Sequence, residues 1–125
     1  MKFIKSADST QGVADVTGRL QKELKRNKKV LWLVCGGSGI DAETQILKEL
    51  RKTANIQNLA IVLMDERFGS VGHPESNWQQ LVDAGCDFTG LYALPVITDS
   101  EKSLAETVDD FSKLTKALID RKSVV

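Results

Sequence analysis

The sequence predicts an α/β fold with three layers, in which helices cover both faces of a mainly parallel, Rossmann-like sheet. Short apolar runs alternate along the chain with longer segments whose apolar residues recur at helical spacing. In the clearest case, the apolar run 30–35 leads through glycines directly into a helical pattern, which is the order of a βαβ unit. The length of 125 residues fits one domain over residues 1–125.

The predicted elements follow from apolar spacing and from residues typical of helix ends. Asp41 is expected to be the N-cap of the second helix, and Ser103 and Glu106 have the spacing of a capping box. Gly85 is expected to end the third helix, and Pro95 to end the strand before it. The predicted strands are 3–4, 30–35, 59–64, 91–96 and 123–125, and the predicted helices are 10–26, 41–52, one from the 74–77 region to 85, and one from about 103.

The composition excludes several classes of protein. Seventeen basic and seventeen acidic side chains give a formal net charge of zero, so neither a nucleic acid nor a membrane is an expected partner. No apolar stretch approaches the roughly 20 residues of a membrane span, and the first residues lack the apolar core of a signal peptide. Two cysteines are too few for a disulfide scaffold, so reduced thiols and a cytoplasmic location are expected.

Residues 35–39, which we term the glycine loop, have the composition of an anion site. Gly36, Gly37 and Gly39 let a backbone approach an anion closely, the N–H groups and dipole of the following helix favour negative charge, and Ser38 adds a hydroxyl. The alternative is that the glycines only form a tight turn. The composition leaves both interpretations open.

A second polar group is predicted beside this loop. Residues 65–67 read Asp-Glu-Arg and directly follow the predicted strand 59–64. Because the carboxyl ends of parallel strands share one edge of a sheet, the glycine loop and these residues should lie on the same rim, where α/β proteins bind ligands.

Three motifs in order resemble the 6-phosphogluconolactonase and glucosamine-6-phosphate isomerase family. That family shows Ser-Gly-Gly-Ser-Thr-Pro after a strand, then Asp-Glu-Arg, then Ser-Asn at a helix start. Here residues 35–40 read Cys-Gly-Gly-Ser-Gly-Ile, residues 65–67 read Asp-Glu-Arg, and residues 76–78 read Ser-Asn-Trp. The family's later Gly-x-Asp-Gly-His motif, with its catalytic histidine, is absent. The resemblance therefore implies an incomplete version of the family domain, equivalent to its N-terminal half.

The resemblance implies hydrolysis of 6-phosphogluconolactone in the pentose phosphate pathway, without a metal or other cofactor. Asp65 is the candidate catalytic residue, because it matches the proton-abstracting aspartate of the isomerase branch. In a lactonase it would orient the sugar or a partner, and its alternative role is to cap a turn. Because the family's histidine is missing, this chain alone is expected to be inactive. The residues expected to bind phosphate are Gly36, Gly37, Ser38, Gly39 and Arg67. Ser76 and Asn77 are expected either to contact the ligand or only to cap a helix. Glu66 is expected to orient Arg67, and His73 is expected to be solvated although it could reach a phosphate.

Two other functions remain as alternatives. A non-catalytic domain would bind a sugar phosphate or a partner chain without turnover. A dinucleotide-binding domain would use Gly37-x-Gly39-x-x-Ala42 with Asp65 about twenty residues further on, although this does not explain the residues after Asp65. In every case an unpaired strand edge is expected to promote self-association.

Overall fold

The computed structural model describes residues 9–120 and 123–124, and within them strands and helices alternate as predicted. The strand expected at residues 3–4 lies outside this part of the chain. The helices are α1 (Ser9–Lys25), α2 (Ile40–Leu50), α3 (Asn77–Asp83) and α4 (Leu104–Ile119), and the strands are β1 (Val30–Val34), β2 (Leu59–Leu63), β3 (Tyr92–Leu94) and β4 (Ser123–Val124).

The four strands form one parallel sheet in the order β3-β2-β1-β4. The chain runs outward from β1 through β2 to β3, and α4 then carries it back to the other side of β1. This reversal places the topological switch point beside β1. In open α/β sheets, ligands bind beyond the carboxyl ends of the strands at such a point.

The two faces of the sheet pack against different helices. Val30, Trp32 and Val34 of β1 point to the face that buries leucines and an isoleucine of α1, α2 and α3. Leu31 points to the opposite face, where Leu118 of α4 is buried. Alternating strand residues thus fill two separate cores. The three-layer α/β architecture is confirmed.

Helix ends agree with the prediction at α4 and differ at α2. At α4 the Ser103 hydroxyl accepts the Glu106 N–H at 3.2 Å and the Glu106 carboxylate accepts the Ser103 N–H at 3.1 Å, which confirms the capping box. At α2 the prediction of Asp41 as N-cap is wrong. A 3-10 turn over Gly37–Gly39 continues directly into the helix, so Gly39 is the N-cap and Asp41 is already helical.

Other boundaries shift by a few residues. The helix α3 begins at Asn77 with Ser76 as its N-cap, and β3 ends one residue before Pro95, whose ring nitrogen carries no N–H for a sheet ladder. Trp32 is 6 % exposed within the core, and Trp78 stacks on Phe88 with ring centroids 4.4 Å apart, so both tryptophans are packing residues as expected. Within residues 9–120, no helix is long and apolar enough to cross a membrane.

Candidate active site

The three motif segments meet at the carboxyl edge of the sheet, which we call the rim. The Met64 N–H donates to the Val34 carbonyl at 2.7 Å and holds the ends of β1 and β2 together. Gly36 packs so closely on Asn77 that a Cβ at Gly36 would lie 2.9 Å from the Asn77 Cβ. The Asn77 amide Nδ2 donates to the Asp65 carbonyl at 2.9 Å. Loop, strand end and helix are thereby joined into one unit.

Glu66 fixes the beginning of α3 against the end of β2. Its carboxylate accepts the Ser76 hydroxyl at 2.7 Å and the N–H groups of Asn77 and Trp78 at 2.6 and 3.2 Å. Burial by itself raises the pKa of Glu66, but these bonds and the Arg67 N–H outweigh it and hold the pKa below its ordinary value. Glu66 therefore stabilises the N-terminus of α3, because a negative charge interacts favourably with the helix dipole there.

Glu66 was expected to orient Arg67, and the contact between the two residues is made by the main chain of Arg67. The Arg67 N–H donates to Glu66 Oε1 at 2.8 Å, whereas the guanidinium reaches the Glu75 carbonyl at 3.3 Å. Arg67 and Asp65 are both exposed. A cation and a carboxylate two residues apart in the chain are therefore accessible at the rim.

His73 was expected to be solvated, and in the structure it is part exposed and part buried and makes one hydrogen bond within the chain. The ring is partly buried, and its Nε2 lies 2.7 Å from the Arg67 carbonyl oxygen. Because a carbonyl only accepts, Nε2 carries the proton of that bond. The ring also lies against Gly69, where a Cβ would come within 2.8 Å of His73 Cδ2. The His73 side chain therefore links the two ends of the loop that runs from Arg67 toward α3.

Ser76 and Asn77 are buried at the start of α3. The Ser76 hydroxyl accepts the Gln79 N–H at 3.2 Å while donating to Glu66, so the helix-cap interpretation of Ser76 is confirmed. Asn77 is 5 % exposed, and among the described residues its Oδ1 has no hydrogen-bond partner. Direct contact of either side chain with a ligand stays a prediction.

The glycine loop has an occupant that the sequence did not reveal. Glu43 of α2 turns back, and its two carboxylate oxygens accept the N–H groups of Cys35 and Gly36, each at 2.8 Å. Within the described residues, the N–H groups of Gly37 and Ser38 have no hydrogen-bond partner. The contribution of Gly36 to phosphate binding stays a prediction that would require Glu43 to move.

Comparison with known proteins decides the family. A family model described as glucosamine-6-phosphate isomerases/6-phosphogluconolactonase matches residues 5–123. The chain belongs to this family. No curated protein shows a significant match to the chain. The resemblance drawn from the three motifs is thus confirmed at the level of the family, which contains both isomerases and lactonases.

A cavity of about 240 Å³ adjoins the rim of this family member and was not predicted. It lies between the end of β2, the segment after β3 and the first turns of α4. Asp65 contributes to its wall, and the remaining lining is mostly apolar. Met64, Phe68, Leu104 and Val108 in this lining are each more than 50 % exposed. The helical spacing of Leu104 and Val108 predicts that both lie in the core, and this is wrong, because apolar spacing does not distinguish a buried helix face from an exposed apolar one.

The rim has groups that can bind an anionic ligand. Arg67 can form two parallel bonds to a phosphate. The N–H groups of Gly37 and Ser38 can donate to a ligand oxygen, and Asp65 can accept from sugar hydroxyls. Together they suit an anionic ligand that also carries hydroxyl groups.

Proposed function

We propose that this chain binds 6-phosphogluconolactone for hydrolysis to 6-phosphogluconate, the lactonase reaction of its family, in the cytoplasmic pentose phosphate pathway. One observation carries the proposal. The contacts of Gly36 with Asn77 and of Asn77 with the Asp65 carbonyl assemble all three family motifs into a single rim. Family membership alone would fit the isomerase reaction equally well.

In this proposal the rim residues hold the ligand at its two ends. Arg67 pairs with the phosphate, and Asp65 accepts hydrogen bonds from the sugar hydroxyls. The N–H groups of Gly37 and Ser38, which have no hydrogen-bond partner within the described residues, donate to a negatively charged ligand oxygen and stabilise it. In the reaction, water attacks the lactone carbonyl carbon, an oxyanion forms, and the ring C–O bond breaks to give a carboxylic acid and a hydroxyl. The attack requires a base that removes a proton from water.

A second candidate is binding without turnover, and the position of His73 favours it for the 125 residues considered alone. His73 is their single histidine, and its Nε2 proton is engaged with the Arg67 carbonyl. Asp65 is exposed, and a carboxylate is a weak base toward water. In this case the chain binds the sugar phosphate, and the base for hydrolysis comes from elsewhere.

A ligand titration followed by amide NMR tests binding at the rim. Adding 6-phosphogluconate to the labelled chain should shift the amides of Gly37, Ser38, Asp65 and Arg67. Gluconate, which lacks the phosphate, should bind at least tenfold more weakly, and NAD should leave these amides unchanged. Shifts confined to other parts of the chain would contradict the proposal, and tight NAD binding at the glycine loop would favour the dinucleotide alternative.

Turnover separates the two candidates once binding is established. Hydrolysis of 6-phosphogluconolactone is compared with the spontaneous rate in the same buffer. A rate well above the spontaneous one, lost in Asp65→Asn, would establish a lactonase. Binding at the rim without such a rate would establish the non-catalytic candidate for these 125 residues.

A further inference from the structure

Glu43 occupies the part of the glycine loop in which a ligand anion would be expected. It lies in the first turn of α2, and its carboxylate folds back over the 3-10 turn. Oε2 accepts the Cys35 N–H and Oε1 accepts the Gly36 N–H, both at 2.8 Å. A Cβ on Gly39 would lie 3.5 Å from Oε1, so the carboxylate also lies against the end of the loop. Two successive N–H groups converging on one anion form the arrangement that phosphate sites use.

The charges around the loop are negative. Among the described residues, no lysine or arginine forms an ion pair with Glu43. Burial raises the pKa of Glu43, and the two N–H bonds partly offset this. Cys35 is exposed as a residue, but partial burial of its thiol raises the thiol pKa, and the negative charges of Glu43 and Asp65 raise it further. A dianionic phosphate would therefore meet two carboxylates at this end of the loop.

We propose that Glu43 is a specificity-determining residue that excludes phosphate from the Cys35 and Gly36 end of the glycine loop. The loop keeps only the Gly37 and Ser38 N–H groups for a ligand, and the phosphate is directed to Arg67. The inference deepens the proposed function and rests on it for the identity of the sugar phosphate. The exclusion itself concerns any small anion.

A purely structural role for Glu43 would have a different consequence. If the carboxylate only tied β1 to α2, its removal would lower stability and leave the anion affinity of the loop unchanged. If it excludes anions, removing its charge should create an anion site at two N–H groups that are already in place. Anion affinity at Cys35 and Gly36 therefore distinguishes the two roles.

The experiment is a titration of the labelled chain with inorganic phosphate at pH 7, with ionic strength balanced by sodium chloride. In the wild type, the Cys35 and Gly36 amides should not move. In Glu43→Gln, which removes the charge at nearly the same size, both amides should move, and phosphate should bind more than threefold more tightly than to the wild type. The matched control is Glu49→Gln, which makes the same charge change on the exposed face of α2, where Glu49 pairs with Lys52 at 3.5 Å.

Two results would overturn the inference. One is a change in phosphate affinity of threefold or less in a folded Glu43→Gln variant. The other is movement of the Cys35 and Gly36 amides in the wild type on adding phosphate, a result that needs no variant to fold. Because the probe is inorganic phosphate, these outcomes are independent of whether 6-phosphogluconate binds at Arg67.

Discussion

Arg67 carries the positive charge of the rim. Its guanidinium is exposed, and its one polar contact within the described residues is the Glu75 carbonyl at 3.3 Å. Such a weak contact leaves most of the guanidinium donors free for a ligand. The electrostatic selectivity of the site for phosphorylated ligands should therefore depend mainly on this residue.

We expect Arg67→Ala to weaken binding of 6-phosphogluconate by about 1.5–3 kcal/mol, the scale of a charge-assisted hydrogen bond, or roughly 10- to 150-fold. Isothermal titration calorimetry measures the change. Arg67→Lys keeps the charge but loses the planar pair of donors, so it should lie between the wild type and Arg67→Ala. Arg19→Ala, an exposed arginine on α1, is the matched control. Equal affinities of the wild type and Arg67→Ala would remove Arg67 from the site.

Glu66 should make the free energy of unfolding depend on pH in the acid range. Its pKa is lowered in the folded state, so its contribution is fully present above the unfolded value of about 4.3 and is lost as the pH falls through the folded pKa. We expect Glu66→Gln to lower the free energy of unfolding by about 1–2 kcal/mol at pH 7, the usual loss for a helix cap. The difference from the wild type should shrink below about pH 4.3.

Urea unfolding at a series of pH values measures this difference. Glu75→Gln is the matched control, because Glu75 is an exposed acid in the same segment. A difference between the wild type and Glu66→Gln that stays constant down to pH 2 would show that the Glu66 charge does not stabilise α3.

At the scale of elements, Gly36 couples the glycine loop to α3. Gly36 has φ +72° and Gly37 has φ +56°, so alanine is strained at both positions. Only at Gly36 would a Cβ also meet a neighbour, the buried Asn77, because nothing lies within 4 Å of the Cβ position at Gly37. Gly36 also has ψ −149°, a region that essentially only glycine adopts, so its alanine variant adds the contact with α3 and a larger backbone strain to the cost expected at Gly37.

We expect Gly37→Ala to cost about 1–2 kcal/mol through backbone strain alone. Gly36→Ala should cost about 2–4 kcal/mol, since a steric overlap with Asn77 is added. Urea unfolding gives both values, and the Asp65 amide resonance should shift only in Gly36→Ala, because the Asn77 side chain must move. Equal losses in the two variants would mean that the Gly36 contact is not tight.

Elements with strong local patterns could be predicted from the sequence. The apolar run 30–35, the capping box at Ser103 and Glu106, and the helical spacing in α1 are local signals that tertiary packing did not override. The N-cap of α2 could not be predicted, because three glycines permit a 3-10 turn that moves the helix start back to Ile40. Propensity does not distinguish such a turn from an open loop.

The rim could be predicted as a set of residues but not as a network of contacts. The rule that parallel strands share one carboxyl edge was enough to place residues 65–67 and the glycine loop on the same rim. The roles of His73 and Glu43 depend on side chains that fold back onto the main chain six and eight residues away. An acid in the first turn of a helix is a weak signal for this, because most such acids interact with their own helix end.

At the scale of the whole molecule, the rim adjoins an apolar surface. Met64 and Phe68 follow β2, and Leu104 and Val108 lie on the first turns of α4. Val96, two residues after β3, lines the same cavity. Among the described strands β3 lies at one edge of the sheet, so apolar side chains and an edge strand occur together. Exposed patches of this kind mark surfaces where proteins associate.

We expect the 125-residue chain to self-associate through this surface. Burying one of these side chains against a second copy would contribute about 1.5–3 kcal/mol, and association costs translational and rotational freedom, so several of them must be buried together for association at millimolar concentration. Light scattering over a range of protein concentrations should show a mass that rises above that of one chain. Leu104→Lys with Val108→Lys should return the mass toward the monomer, because both side chains are exposed and the charges oppose burial. Leu114→Lys is the matched control, an exposed leucine of α4 that does not line the cavity. A strictly monomeric wild type at high concentration would refute the prediction. If association persists in the double variant but is lost in a variant of the β3 edge, the copies associate by strand pairing instead.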